Sequence, residues 1–368
     1  MKKYYLAGGF LCLVLFFSQC TKNDNPYIPL KSKAELGQKI FFDKHLSEPM
    51  GQSCSSCHNP TEAFSDPNHL STSPGAVKGL FGKRNSMALT YGMFTPPLHY
   101  STEDETFIGG FFWDGRANTL EDQAKLPFFN TIEMNLKDAS VLAVKIRSAE
   151  YYKDYVRIYG IANDNSQTIL NNVADAIASF ERTSPFNSFS SKYDYYLKGT
   201  ATLSADEKKG LELFTNKAKC SNCHITDPDE TSGKILFTDF TYDNIGVPVN
   251  HDNKFYGLPT EFNPLGNSFI DFGLGITADN LPDNGGQFKV PSLRNIAISA
   301  PYFHNGVFKT LDEVVHFYNT RDKEGVIPEV GGNVNDEELG DLHLTLKEEK
   351  QIVAFMKTLT DGYHAGQK

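Results

Sequence analysis

The residues able to do chemistry come as two matching groups. The stretch "SCSSCHNP" sets Cys54, Cys57 and His58 together, and "KCSNCHIT" repeats the arrangement with Cys220, Cys223 and His224. Two thiols three positions apart, with a histidine directly after the second, admit three chemistries. A thioredoxin-like redox pair uses Cys-x-x-Cys but needs neither the histidine nor a second copy. A zinc site draws four ligands from paired motifs, yet its histidines follow a different spacing. Covalent haem attachment uses all three residues: each thiol adds to a vinyl group, and the adjoining histidine is held under the iron as its axial ligand. The pattern therefore reads as two covalently bound haem c groups, one on Cys54, Cys57 and His58, the other on Cys220, Cys223 and His224.

The remaining cysteines fit this reading. The chain has 368 residues and six cysteines. Lys2 and Lys3 precede "YYLAGGFLCLVLFF", an apolar run containing Cys12 that is too short to span a bilayer comfortably and is flanked like an export signal. Cys20, in "FSQCTKND" at its end, resembles the lipidation site of a bacterial lipoprotein, although Gln19 stands where a small residue is usual; the alternative is a plain cleaved secretory peptide. Residues 1–20 are thus expected to be a lipoprotein-type signal peptide, with the mature chain in the periplasm, anchored to the membrane through Cys20. An exported chain usually oxidises spare thiols, and none are left for a structural disulfide. A net charge of −10 without clustered Lys and Arg argues against nucleic acid as a partner.

The elements that must position the two motifs are mainly helical. In "SKAELGQKIFFDKHLS", Leu36, Ile40 and Phe41 recur at helical spacing before the first motif. Ahead of the second, Ser204 and Glu207 form a capping-box pattern, with Leu211 and Phe214 expected to face inward. Each half also ends in a predicted helix, one near residue 180 and one in "TLKEEKQIVAFMKTLTD", capped by Thr345 with Glu348. Residues 225–292 are rich in Gly, Pro, Asn and Asp and read as long ordered loops. The expected domains are 21–190 and 191–368, joined near "SPFNSFSSKYDYYLKGTATLS".

Several longer segments carry a resemblance. The two haem motifs in their order, "FFWDGRANTLEDQA", "NTIEM", "NIGVP", "KVPSLRNIAISAPYFHNG" and "FKTLDEVVHFYN" resemble the bacterial diheme cytochrome c peroxidase family over roughly residues 34–360. The resemblance implies two c-type cytochrome domains, the first haem peroxidatic and the second for electron transfer, packed around one calcium ion. It further implies that Gln123 positions hydrogen peroxide, that Glu133 moves a proton from its inner to its outer oxygen, and that Pro127 lines the same pocket. Read without it, Glu133 is a charge at a helix N-terminus and Gln123 a solvent-facing helical residue. Trp113, the single tryptophan, is otherwise a core aromatic; the resemblance puts it between the haems, as an electron path. Calcium would be held by the Asn85 side chain and by the carbonyls of Ser299 and Pro301, with serine where threonine is common.

Two departures bear on subtype. Other members complete the second iron with a methionine soon after "PYFHNG", whereas here the sole methionine after Cys223 is Met356, and the matching position in "VVHFYN" is Tyr318. A tyrosine there is similar to the MauG-like branch; phenolate favours oxidised iron, while thioether sulfur raises the potential. His316 or His304 could serve as ligand instead, leaving Tyr318 a core aromatic. The family's blocking histidine on the first iron also lacks a match, because His69 in "SDPNHLSTSPGAVKGLFGKRNS" falls well before that position and reads as a surface residue, so the iron is expected open while ferric. Three functions follow: a peroxidase drawing electrons from a small cytochrome c or cupredoxin, a MauG-type oxidant of a partner protein's side chains, or a non-catalytic diheme electron carrier. A homodimer is usual in the family. The MauG-type enzyme passes oxidation through a surface tryptophan before its second motif, where this chain has "TNKAKC".

Overall fold

The computed structural model describes residues 1, 29–160, 165–229, 232–278 and 282–364; Cys12, Cys20 and the rest of the segment expected to be an export signal, apart from residue 1, lie outside them. The first half contains α1 (Lys33–Phe41), a single turn α2 over the first motif (Cys54–Cys57), α3 (Leu120–Phe129), α4 (Ala139–Ser148), α5 (Tyr152–Tyr159) and α6 (Ser166–Glu181). The second half contains α7 (Lys192–Leu197), α8 (Ala205–Thr215), the short α9 (Leu274–Thr277), α10 (Leu311–Thr320) and α11 (Leu346–Lys357). Two small antiparallel ribbons complete the fold: β1 (His99–Ser101) with β2 (Thr106–Ile108), and β3 (Tyr242–Asp243) with β4 (Phe288–Lys289).

Each half is built on a helix that leads into its haem motif and crosses a later helix at very short range. In α1, Ser32 caps by accepting from the Glu35 N–H, and Leu36, Ile40 and Phe41 are buried as their spacing requires. In α8 the expected capping box of Ser204 and Glu207 is present, and Phe214 is buried while Leu211 packs at the edge of the second core. A β-carbon on Gly37 would stand 1.8 Å from the Ala176 carbonyl oxygen of α6, and one on Gly210 would stand 1.9 Å from that of Gln351 in α11. Both crossings carry the same local order: Gly37, Ile40, Phe41 in α1 and Gly210, Leu213, Phe214 in α8. Only hydrogen fits at the crossing, and the next inward residues then enter the core, each large apolar side chain contributing about 1.5–3 kcal/mol.

The cores follow the same division. One gathers α1, α3, α4 and α6 around Phe41, Phe128, Leu142 and Phe186; the other gathers α8, α10 and α11 around Phe214, Phe237 and Phe355. The stretch read as a linker is more ordered than its composition suggests, since Ser191 and Asp194 form a capping box that starts α7. Residues 225–292 are, as expected, mostly loop with short 3₁₀ turns.

The halves meet along a seam that mixes small apolar clusters, such as Tyr91, Leu236 and Phe240, with polar contacts. Arg84 of the first half donates through Nε (2.6 Å) and a terminal nitrogen (2.7 Å) to Asp271 of the second. The Asn85 N–H donates to the His304 carbonyl at 2.7 Å. Tyr91 donates to Asp361 at 2.6 Å, and Asp361 also accepts from Ser190 and Asn295. Gly210→Ala is expected to force α8 and α11 apart and to cost about 1–3 kcal/mol, the usual penalty for overpacking; chemical denaturation of the holoprotein checks this.

Candidate functional site

A single connected cavity of about 1100 Å³ runs between the two halves and is lined by both Cys-x-x-Cys-His motifs. It exceeds the ~300–1,000 Å³ of ordinary small-molecule pockets. His58 donates from Nδ1 to the Phe64 carbonyl at 2.9 Å, and His224 does the same to the Phe237 carbonyl at 2.9 Å. A carbonyl can only accept, so Nδ1 carries the proton and Nε2 keeps the lone pair that a metal needs. Burial lowers the pKa of both rings, that of His224 to about 4, and so keeps them neutral.

The four thiols are free of disulfide bonds, and burial pushes each up to about 12. Protonated thiols are poor redox nucleophiles and poor zinc ligands. Among the described residues, the grouping with metal-ligand reach joins Cys223 to Asp243 and Glu338, and the two cysteine pairs do not come together. Paired thiols, a fixed tautomer and a large shared cavity fit two covalent haems.

The wall beside the first motif comes from α3 and the turn after it. Thr119 caps α3 by accepting from the Asp122 N–H at 3.0 Å, which buries Leu120, Ala124 and Phe128 and leaves Gln123 and Pro127, one helical turn apart, on the cavity. Gln123 makes no side-chain hydrogen bond to the described residues. The chain leaves α3 at Asn130 and folds back: Glu133 N–H donates to the Asn130 carbonyl at 3.0 Å, and the Glu133 carbonyl accepts from Ala76 at 2.7 Å. Glu133 borders the cavity and its field is felt at Cys57. Burial raises its pKa above the carboxylate value of 4.5, opposed by Arg116 and by a hydrogen bond from Asn130.

Trp113 is buried at the seam. Its Nε1 donates to the Asn85 carbonyl at 2.9 Å and its own carbonyl accepts from the Lys289 N–H at 2.9 Å. Asn85, Ser299 and Pro301 border the same cavity; the Asn85 amide nitrogen faces the Leu70 and Ser71 carbonyls at 3.4 Å, which leaves its oxygen for another partner.

In the second half α10 carries Tyr318 to the cavity, where its hydroxyl makes no hydrogen bond to the described residues and burial raises its pKa. His316 lies elsewhere: its Nδ1 is 3.0 Å from Glu349 and its Nε2 is 3.1 Å from Glu324 at the surface. His304 borders the cavity but is stacked on Phe288, 3.6 Å between centroids, with Nε2 3.3 Å from Glu329. Met356 of α11 belongs to the second core and also touches the cavity. His69 stands half-exposed, donates to the Ala300 carbonyl at 3.0 Å, and does not line the cavity.

Three wall residues were missed from sequence. Glu181 borders the cavity beside Cys54 with its pKa pushed up to about 8 by burial. Its signal was legible, because it continues the buried ladder Val173, Ile177 of α6 with a charge. Arg116, whose guanidinium lies 3.6 Å from the Phe112 ring centroid and pairs with Asp114, and Lys289 had no such periodicity to expose them.

Two haem-attachment motifs, each seated on its own helical core and sharing one cavity, define a diheme c-type cytochrome. The chain belongs to the di-haem cytochrome c peroxidase family, whose model matches residues 31–202. It is 35% identical over 353 residues to the methylamine utilization protein MauG of Paracoccus denitrificans, covering 89% of this chain and 88% of that one. It is 29% identical to the cytochrome-c peroxidase IdrP1 of a Pseudomonas species, covering 92% and 82%. The crystal structure of the diheme peroxidase BthA from Burkholderia thailandensis superposes with a TM-score of 0.78 at 32% identity, covering 92% and 88%. The chain is a peroxidase-type oxidoreductase carrying two haem c groups.

Replacing Cys220 and Cys223 together by serine is expected to halve the covalent haem per chain while leaving the first haem attached, as read by intact mass and haem staining.

Proposed function

We propose that this chain reduces hydrogen peroxide to water in the periplasm, with electrons from a small cytochrome c or cupredoxin. The reaction takes up two electrons and two protons and yields two waters. Bound haem supplies redox iron, which exchanges electrons with donor and peroxide; the chain's own residues supply orientation and protons. The observation that carries the reading is the meeting of Gln123, Pro127 and Glu133 on one wall beside the first motif.

Gln123, with an amide free of partners among the described residues, orients the peroxide. Glu133 takes the proton from the inner oxygen and returns it to the outer one, so that the O–O bond breaks with water as leaving group. A carboxylate in this role must begin ionised, and the upward shift that burial gives Glu133 strengthens it as the base that takes the proton. Trp113, in the seam, carries electrons between the haems. That His69 does not line the cavity and is held by the Ala300 carbonyl supports the expectation that no histidine would block the first iron while it is ferric. Calcium at the Asn85 side-chain oxygen and the Ser299 and Pro301 carbonyls would brace the seam with hard oxygen ligands. Domains 21–190 and 191–368, lipidation of Cys20 and a homodimer belong to the same reading.

Tyr318 as ligand of the second iron favours a second reading, in which the electrons come from side chains of a partner protein, as the similarity to MauG also suggests. Steady turnover with a reduced small cytochrome or cupredoxin, in the absence of any other protein, separates the two.

Ferric protein mixed with stoichiometric peroxide is expected to give a new oxidised spectrum; an unchanged spectrum would make the chain an electron carrier. Glu133→Gln should keep both haems and lose about 10²–10⁴-fold in turnover. In the wild type, turnover should fall as pH drops through the Glu133 pKa, above the usual 4.5, and the variant should lack that limb. Tyr318→Met should raise the potential of the second haem, measured by spectroelectrochemistry, since thioether replaces phenolate.

A further inference from the structure

Lys289 is a charged wall residue that the proposed reaction leaves unused. It is 7% exposed and borders the cavity, yet among the described residues no carboxylate lies within ion-pair distance of it. Asp114 acts on it only beyond ion-pair distance and is itself paired with Arg84 and Arg116. A buried ammonium without a counter-ion is costly, so its retention calls for a role.

The geometry supplies one. In the β3–β4 ribbon Tyr242 stands directly opposite Lys289. Tyr242 donates its hydroxyl to the Gly109 carbonyl at 2.6 Å, and Lys289 donates its ammonium to the next carbonyl, Gly110. The Lys289 backbone N–H donates to the Trp113 carbonyl at 2.9 Å. Through Tyr242 and Lys289 the second half therefore grips residues 109–113 of the first at three points, besides the Gly109 N–H bond to the Phe240 carbonyl, and one of the three brings a full positive charge. That charge lies 5.6 Å from the Phe111 ring centroid, in the wall that also holds Trp113. Nε1 of Trp113 faces a neutral carbonyl that cannot take its proton, so an electron hole there would keep a positive charge and feel Lys289 directly.

We propose that Lys289 is a positioning residue for electron sharing between the two haems: it fixes the Gly110–Trp113 segment, and its charge raises the reduction potential of the cofactor in the adjoining wall. A positive charge in a low-dielectric wall stabilises an added electron and opposes a hole. The proposal rests on the reading of Trp113 as an electron path.

The test uses holoprotein with both haems, at pH 6, below the value of about 7 to which burial lowers Lys289. Lys289→Gln keeps a donor for Gly110 without the charge, Lys289→Met removes both, and Lys289→Arg keeps the charge. Spectroelectrochemistry is expected to show a lower potential for at least one haem in the glutamine and methionine variants at unchanged haem content, and wild-type potentials in the arginine variant. Potentials unchanged in both neutral variants, or lowered as far in Lys289→Arg, overturn it. Trp113→Phe separates this from the reading beneath it, using stopped-flow electron equilibration between the haems. Slowed equilibration there with unshifted Lys289→Gln potentials sinks the role of Lys289 alone. Shifted Lys289→Gln potentials with undisturbed equilibration in Trp113→Phe sink the tryptophan path and leave the charge effect standing.

Discussion

Removal from water, more than any single contact, sets the chemistry around this cavity. Burial is the largest cause of the raised thiols of Cys54, Cys57, Cys220 and Cys223, of the lowered His58 and His224, of the raised Glu133 and Glu181, and of the lowered Lys289. In each case the neutral form gains. Neutral histidine is what an iron needs, a protonatable carboxyl can hold and release a proton, and a protonated thiol is a weak nucleophile. The same dry enclosure lets one charge, such as that of Lys289, act across a distance at which water would screen it.

Such an enclosure has to be built twice and then closed once. The repeated crossing at Gly37 and Gly210 brings two helix pairs to backbone contact, and the inward residues after each glycine fill the space behind a haem motif. The halves are then joined by small apolar clusters drawn from both, such as Tyr91 with Leu236 and Phe240, and pinned by polar contacts: Arg84 with Asp271, Asp361 with Tyr91, and the β3–β4 ribbon on residues 109–113. Charged and hydrogen-bonded seams hold position specifically, because a shifted register leaves buried polar groups unpaired. For two haem motifs that share one cavity, such a seam fixes their separation.

Much was legible before any folding was known. The haem motifs declare themselves because covalent attachment demands three residue types in fixed order. The capping boxes at Ser204 and Thr345 and the buried trio Leu36, Ile40, Phe41 are local rules, satisfied within one turn of helix. Where sequence reading left several ligands open, the fold places them differently: His316 is engaged by Glu349 and Glu324, His304 borders the cavity but is stacked on Phe288, and Tyr318 is delivered to the cavity by α10 with a hydroxyl that has no partner among the described residues. No spacing rule separates a histidine at 316 from a tyrosine at 318, since adjacent helical positions differ only in which way they point.

The sequence alone thus determined which atoms can bond to a porphyrin and which helices present them, because those are short-range matters of covalent chemistry and periodicity. Only the tertiary structure decided the wall between the two centres. Arg116, Glu181 and Lys289 gain their roles from what long-range folding packs around them, Lys289 from a turn nearly two hundred residues earlier in the chain, and the energy of a charge depends on the surroundings that folding supplies.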